Sequence, residues 1–259
     1  MRKNVGINSI ALITLLFIGL PLIMIATTAF GEAAVIQFPI QGFTFKWFGD
    51  VLNTRSLMTS LWTSVRLAVI ASMIGLMIGL PTSYALTKNN SKMSQRLLSF
   101  FLSPNLVPGI VMGFALFKTL TLTFRLTVWT SLILGHLMIV LPYTIRILAA
   151  SMRELDPSIE EAARSLGCKP VETFIRVVIP NLKGSIFAAL IMSFINSFNN
   201  LPVSLFLKGP GVNTLPAALM NHLEYNFNPT VSALSVILMV ITFVMMLLIE
   251  KTIGLSEVR

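Results

Sequence analysis

The chain has 259 residues, 55% of them hydrophobic and only 11% charged, with a mean hydropathy of +0.83. A soluble domain carries about a quarter charged residues, so this composition excludes a water-soluble enzyme or binding module. The formal charge of +9 is read as the surplus of basic residues in the cytoplasmic loops of a membrane protein, not as a nucleic-acid surface.

Met1-Arg2-Lys3 opens the chain ahead of an apolar stretch from Ile7 to Phe30. That stretch is longer than the roughly 7–15 apolar residues of a secretory signal, so a retained first span is expected over 7–30. The segment Gly42-Phe43-Thr44-Phe45-Lys46-Trp47-Phe48, with Trp62, reads as aromatic anchors at the outer headgroup level. Further spans are expected at 61–86, 97–120, 126–149, 185–207 and 231–249, each close to the roughly 20 residues that cross a bilayer as helix. The expectation is an all-α polytopic membrane protein of six transmembrane helices, one domain over 1–259, with a polar loop at 150–184.

Pro104, Pro108 and Gly109 interrupt regular pairing in the third span and can present free carbonyls to a cavity. Pro81 and Pro142 are read as kinks. Arg66 is read as snorkelling outward, and His136 as a hydrogen-bonded packing residue, since no second ligand lies at metal spacing. Cys168 is the single cysteine, which leaves no intrachain disulfide and no cysteine metal cluster.

The 150–184 loop carries the densest punctuation. Asp156-Pro157 is a helix start, Glu160 and Glu161 sit in the first turn where negative charge suits the helix dipole, and Gly167 is a stop. A short helix over Pro157–Leu166 follows. Ile159, Ala162, Ala163 and Leu166 share one apolar face, and Glu160 and Arg164 are spaced to pair. The two alanines permit close approach, and so short a helix must bury its face against something. Pro170 opens a second amphipathic helix, Val171–Val178, which Pro180 is expected to break. Residue chemistry alone leaves two fates for this unit: packing on its own bundle or docking a soluble partner.

In the fifth span Asn196, Asn199 and Asn200 fall at i, i+3 and i+4, with Ser193 and Ser197 extending the stripe and Pro202 just beyond. Polar groups in hydrocarbon line a path or join helices; the candidates for a substrate path are these five residues and Pro108. His222 and Glu224, in the following loop, are read as solvated. Thirteen of the 19 Lys and Arg residues, among them Arg2, Lys3, Lys88, Arg164, Lys251 and Arg259, fall on the side of the termini and the 150–184 loop. The excess puts both termini and that loop in the cytoplasm. No phosphate-binding loop, nucleophile–base pair or metal constellation occurs, so the chain is expected to be non-catalytic, with no cofactor or metal of its own.

The pattern Glu161-Ala162-Ala163, three residues, Gly167, nine residues, Val177, one residue, Ile179-Pro180 resembles the EAA loop of ABC importer permeases, with Val177 and Ile179 as conservative departures from the usual Ile-x-Leu-Pro ending. The segments at 42–48, Ser103-Pro104-Asn105-Leu106-Val107-Pro108 and Leu201-Pro202-Val203-Ser204-Leu205-Phe206-Leu207-Lys208-Gly209-Pro210 resemble the second permease of spermidine/putrescine-type importers. The resemblance implies a type I importer fold in a bacterial inner membrane. It implies as partners two copies of an ATPase subunit holding ATP and Mg, a second permease in a heterodimeric pairing, and an external solute-binding protein. Glu160, Glu161, Ala162, Ala163, Leu166, Gly167 and Pro180 would then form the ATPase-coupling segment. The neutral Asn199-Asn200 pair departs from the acidic residues expected for a polycation path, which widens the solute to a polyamine-like molecule, an amino acid derivative or an aminophosphonate. The alternative of a self-sufficient secondary carrier calls for intramembrane acids and an internal repeat, and neither is evident.

Overall fold

A computed structural model describes residues 5–89 and 91–253; the terminal cations Arg2, Lys3 and Arg259 lie outside the described residues. The helices in chain order are α1 (Val5–Thr28), α2 (Lys46–Asn53), α3 (Arg55–Lys88), α4 (Lys92–Leu102), α5 (Gly109–Leu116), α6 (Val128–Glu154), α7 (Pro157–Ser165), α8 (Pro170–Thr173), α9 (Ile179–Asn181), α10 (Lys183–Phe198), α11 (Leu201–Leu207), α12 (Leu215–Tyr225) and α13 (Thr230–Ile253). A 3-10 turn (Ser103–Leu106) links α4 to α5, and π turns follow α5 (Phe117–Thr123) and α8 (Phe174–Val178). The all-α class expected from composition is the observed class.

Helices α1, α3 and α6 are each long and apolar enough to cross a membrane, and two bent pairs raise the number to five if each is one span. The sixth expected span, 231–249, falls in α13, where Thr230–Val244 form a shorter apolar helix. Two expected spans are not continuous helices. Over 97–120 the chain bends by 99° between Lys92–Leu106 and Gly109–Thr123. Pro104 and Pro108 lack the N–H groups a helix needs, and Val107 between them is extended. Over 185–207 the helix stops at Phe198 and restarts at Leu201, with Pro202 in the new first turn where its missing N–H costs nothing. Pro180 likewise opens the short α9 instead of ending the helix before it, and the 76° bend comes after Asn181.

The chain groups into two compact units, Met1–Met58 with Ala218–Arg259 and Thr59–Ala217. In the first, α13 packs on α1 and α2, and the Thr28 hydroxyl donates to Ser232 Oγ at 3.1 Å. Trp47 is buried there and its indole N–H donates to the Gly31 carbonyl at 2.7 Å. It is therefore a structural residue and not a headgroup anchor; Phe43 and Phe45, packed edge to face, stay exposed.

In the second unit α3 turns a stripe of small residues, Ala68, Ser72, Gly75, Gly79 and Ser83, onto its neighbours. A Cβ at Gly75 would lie 2.6 Å from Val140 Cγ1, and one at Gly79 2.6 Å from Thr144 Cγ2. Small residues four apart let membrane helices approach backbone to backbone, and the Ser83 hydroxyl donates to the Ile145 carbonyl at 3.3 Å. Two apolar clusters hold the rest. Leu67, Leu132, Val203 and Leu207 join α3, α6 and α11; Leu148, Met152, Val178, Leu182 and Ala189 seat the end of the 150–184 loop on α6 and α10.

Candidate functional site

Helix α7 is closed at both ends by its own chain. Asp156 caps it, Oδ1 accepting the Ser158 N–H at 2.9 Å, and that hydrogen bond holds the carboxyl below its usual range. At the other end the Gly167 N–H donates to Arg164 O at 2.9 Å and the Cys168 N–H to Ala163 O at 3.1 Å, the paired bonds of a Schellman ending. Gly167 has φ +92°, a left-handed conformation that glycine adopts without steric cost.

The apolar face of α7 is only partly covered. Ala163 is buried and Ile159 half-buried, while Ala162 and Glu161 are exposed and Leu166 is 87% exposed. Val171 and Ile175, on the second arm of the loop, are also exposed.

Glu160 does not pair with Arg164 as its spacing suggested. The Tyr84 hydroxyl donates to Glu160 Oε2 at 2.8 Å, and the Lys88 ammonium forms an ion pair with the same oxygen. Lys88 also donates to Tyr84 Oη at 2.8 Å. Burial pushes the Glu160 carboxyl up, but the hydrogen bonds from Lys88 and Tyr84 and the Lys88 charge outweigh it and hold the group below its usual 4.5. Sequence reasoning missed Tyr84 and counted Lys88 only as a loop cation. Their signal was an aromatic and a cation four apart in the last turn of a span. A cleft of about 430 Å³ opens beside them, lined by Met152, Arg153, Pro157, Glu161 and Arg164 among others.

The polar residues of the fifth span separate into different roles. Ser193 and Ser197 are buried: Ser193 meets the Thr144 hydroxyl at 2.8 Å, and Ser197 Oγ lies 2.8 Å from His136 Nδ1. They join α10 to α6 and do not line a path. His136 is the hydrogen-bonded packing residue expected, its Nε2 lying 3.1 Å from Ser204 on α11. Asn200 caps α11, Oδ1 accepting the Val203 N–H at 3.0 Å. The single helical face drawn through Asn196, Asn199 and Asn200 is therefore interrupted after Phe198. Asn196 is half-buried and donates to its own helix at Met192 O, 2.8 Å away. Asn199, at the end of α10, and Pro108, ahead of α5, are exposed. Ser204 and Thr144 were missed, since an isolated hydroxyl in an apolar run carries no periodic signal. Among the described residues no group of three or more His, Cys, Asp or Glu is placed to hold a metal ion.

Residues 71–251 match the family model described as binding-protein-dependent transport system inner membrane component. Over 114 residues the chain is 32% identical to the putrescine transport system permease protein PotI of Escherichia coli (strain K12), covering 44% of this chain and 39% of that protein. Over 117 residues it is 27% identical to the spermidine/putrescine transport system permease protein PotC of the same organism, covering 45% and 44%. The chain thus spans 39–44% of the length of these curated relatives. Among solved structures, a bacterial ABC transporter involved in the import of the acidic polysaccharide alginate superposes with TM-score 0.69 at 18% identity, covering 98% of this chain and 95% of that one. The MetNI methionine ABC transporter gives 0.62 at 17% identity, covering 76% and 94%. At these identities the structures speak to the fold alone.

Proposed function

Because this chain belongs to the family of binding-protein-dependent transport system inner membrane components, we infer that it is a non-catalytic permease subunit which, with a second permease, forms the translocation path of an ABC importer. The observation that carries the coupling reading is a finished but uncovered helix. α7 is capped at both ends, yet Leu166 stays 87% exposed, and Val171 and Ile175 on the second arm of the loop are exposed too. A helix of nine residues has little stability of its own, and an apolar patch on a polar loop gains most by burial against a partner. We assign that partner as a separate ATPase subunit, two copies per complex, which supplies the ATP and Mg chemistry this chain's sequence lacks. Glu161, Ala162, Ala163 and Leu166 would make the contact, and Gly167 would hold the turn. The self-sufficient carrier is set aside by the family membership.

The solute is proposed as a small organic molecule handed over by an external binding protein. Similarity to PotI and PotC supports a polyamine-like solute. The neutral Asn199, and the lack of any Asp or Glu well inside a span, support an amino acid derivative or aminophosphonate, since a bare polycation is costly to desolvate against amides. Asn199, Asn196 and Pro108 remain the path candidates. The basic-residue bias supports both termini in the cytoplasm.

The test is Glu161→Lys and Gly167→Asp, read by co-purification of the ATPase subunit from detergent extracts and by putrescine uptake in vesicles. Loss of the ATPase at normal permease yield is expected. Unchanged ATPase recovery in both variants overturns the coupling assignment, whichever solute is carried.

A further inference from the structure

Glu160 immediately precedes the Glu-Ala-Ala triplet, and unlike the exposed Glu161 it is partly buried. Its side chain is 18% exposed and is turned back onto the last turns of α3, where it meets Tyr84 and Lys88. Tyr84 in turn touches the second arm of the loop: its ring centroid lies 4.5 Å from that of Phe174, at 38°. The Lys88 ammonium sits 4.9 Å from the Tyr84 ring centroid, close enough for a cation–π contact. One aromatic on α3 therefore holds α7 through its hydroxyl and the Pro170–Asn181 arm through its ring.

The covalent connections of the loop run to α6 through Leu155–Asp156 and to α10 through Leu182. Helix α3 has no such link to it. Among the described residues, the 34-residue α3 reaches the loop by side chains: Tyr84 and Lys88 meet Glu160, and Leu76, Leu80 and Tyr84 pack against the cluster that holds Val178 and Leu182. We propose that Tyr84, braced by Lys88 on Glu160, is a positioning residue that makes the loop arms and α3 move as one body, so that displacement of the loop is passed into the α3 span. This rests on the coupling reading above and adds the route by which the loop addresses α3.

A partly exposed ion pair adds little to stability, so the role is sought in coupling and not in melting. The complex is purified with its ATPase subunits, and stimulation of ATP hydrolysis is measured on adding the cognate external binding protein as purified, so no solute need be chosen. Tyr84→Phe keeps the ring on Phe174 and removes only the hydroxyl. Lys88→Glu and Glu160→Lys reverse the pair singly, and the double reversal restores it. Each single variant is expected to lose stimulation by at least about fivefold, the lower end of ordinary coupling energies, and the double reversal to recover most of it. Full stimulation in Tyr84→Phe and Lys88→Glu overturns the proposal. So does a loss confined to the yield of assembled complex with stimulation per complex unchanged, which would make the cluster a stability element. Failure of the wild-type complex to retain an ATPase or respond to binding protein counts instead against the coupling reading itself.

Discussion

The His136 imidazole and the Ser197 hydroxyl meet at 2.8 Å between α6 and the last turn of α10. The other ring nitrogen reaches Ser204 at 3.1 Å, on the far side of the Asn199-Asn200 break. One imidazole thus bridges a discontinuity in the chain. Of its two nitrogens one donates and one accepts, and a serine hydroxyl serves either role.

Replacing His136 by Leu strands two buried hydroxyls. Each unpartnered group costs about 1–3 kcal/mol, although single interhelical hydrogen bonds in membranes average only about 0.6 kcal/mol. The purified permease is expected to melt at a lower temperature by an amount matching about 2 kcal/mol. Ser204→Ala, which removes one bond and leaves one ring nitrogen unpartnered, should cost about half of that. Thermal unfolding in detergent measures both; equal midpoints for wild type and His136→Leu would remove the bridge from the account.

Legibility follows the range of the forces involved. The ends of α7 were readable because Asp156, Pro157 and Gly167 act on backbone groups within a few residues of themselves. The need of its face for a partner was readable from period alone. The Tyr84–Glu160 bond was not, because 76 residues separate the two and only the packing of α3 on the loop makes them neighbours. Asn200 misled for a related reason. An asparagine before Leu-Pro is a helix cap as readily as a member of a polar stripe, and Pro202 was the signal that the helix restarts there. Helices α2 and α12 were hidden inside segments treated as loops; the Thr214-Leu215-Pro216 start of α12 was the overlooked cue.

Gly75 sets how closely α3 and α6 approach. A methyl there would sit 2.6 Å from Val140 Cγ1, so Gly75→Ala forces one helix to shift. Overpacking of this size costs about 1–3 kcal/mol. The expected result is a lowered thermal midpoint, recovered by adding Val140→Ala, which empties the space the new methyl needs. A Gly75→Ala variant as stable as wild type would mean that the two helices are not in this contact.

Asn199 and Asn200 should come apart experimentally. Asn200→Ala loses a helix cap and about 1 kcal/mol of stability, whereas Asn200→Asp or Asn200→Ser keeps the acceptor and the stability. Asn199→Leu changes an exposed residue and should leave the melting temperature unchanged. If Asn199 lines the path, uptake in vesicles falls in Asn199→Leu without loss of complex. Normal uptake in that variant would take Asn199 out of the path.

The Lys88–Glu160 contact carries a definite pH window. Glu160 is held below 4.5, so its contribution is present above the ordinary carboxylate range and lost as pH falls through its lowered value. Above that range the carboxylate stays charged. Backbone amide protection over 158–166, corrected for intrinsic exchange, should therefore be the same at about pH 6 and about pH 8, and fall only below about pH 4. Glu160→Gln should lower protection in the neutral range and shrink the acid step to what the Asp156 cap contributes. The change will be small, since both side chains are partly solvated and such pairs contribute little. Protection that varies between about pH 6 and about pH 8 would mean that another titrating group, not this pair, controls how α7 is held.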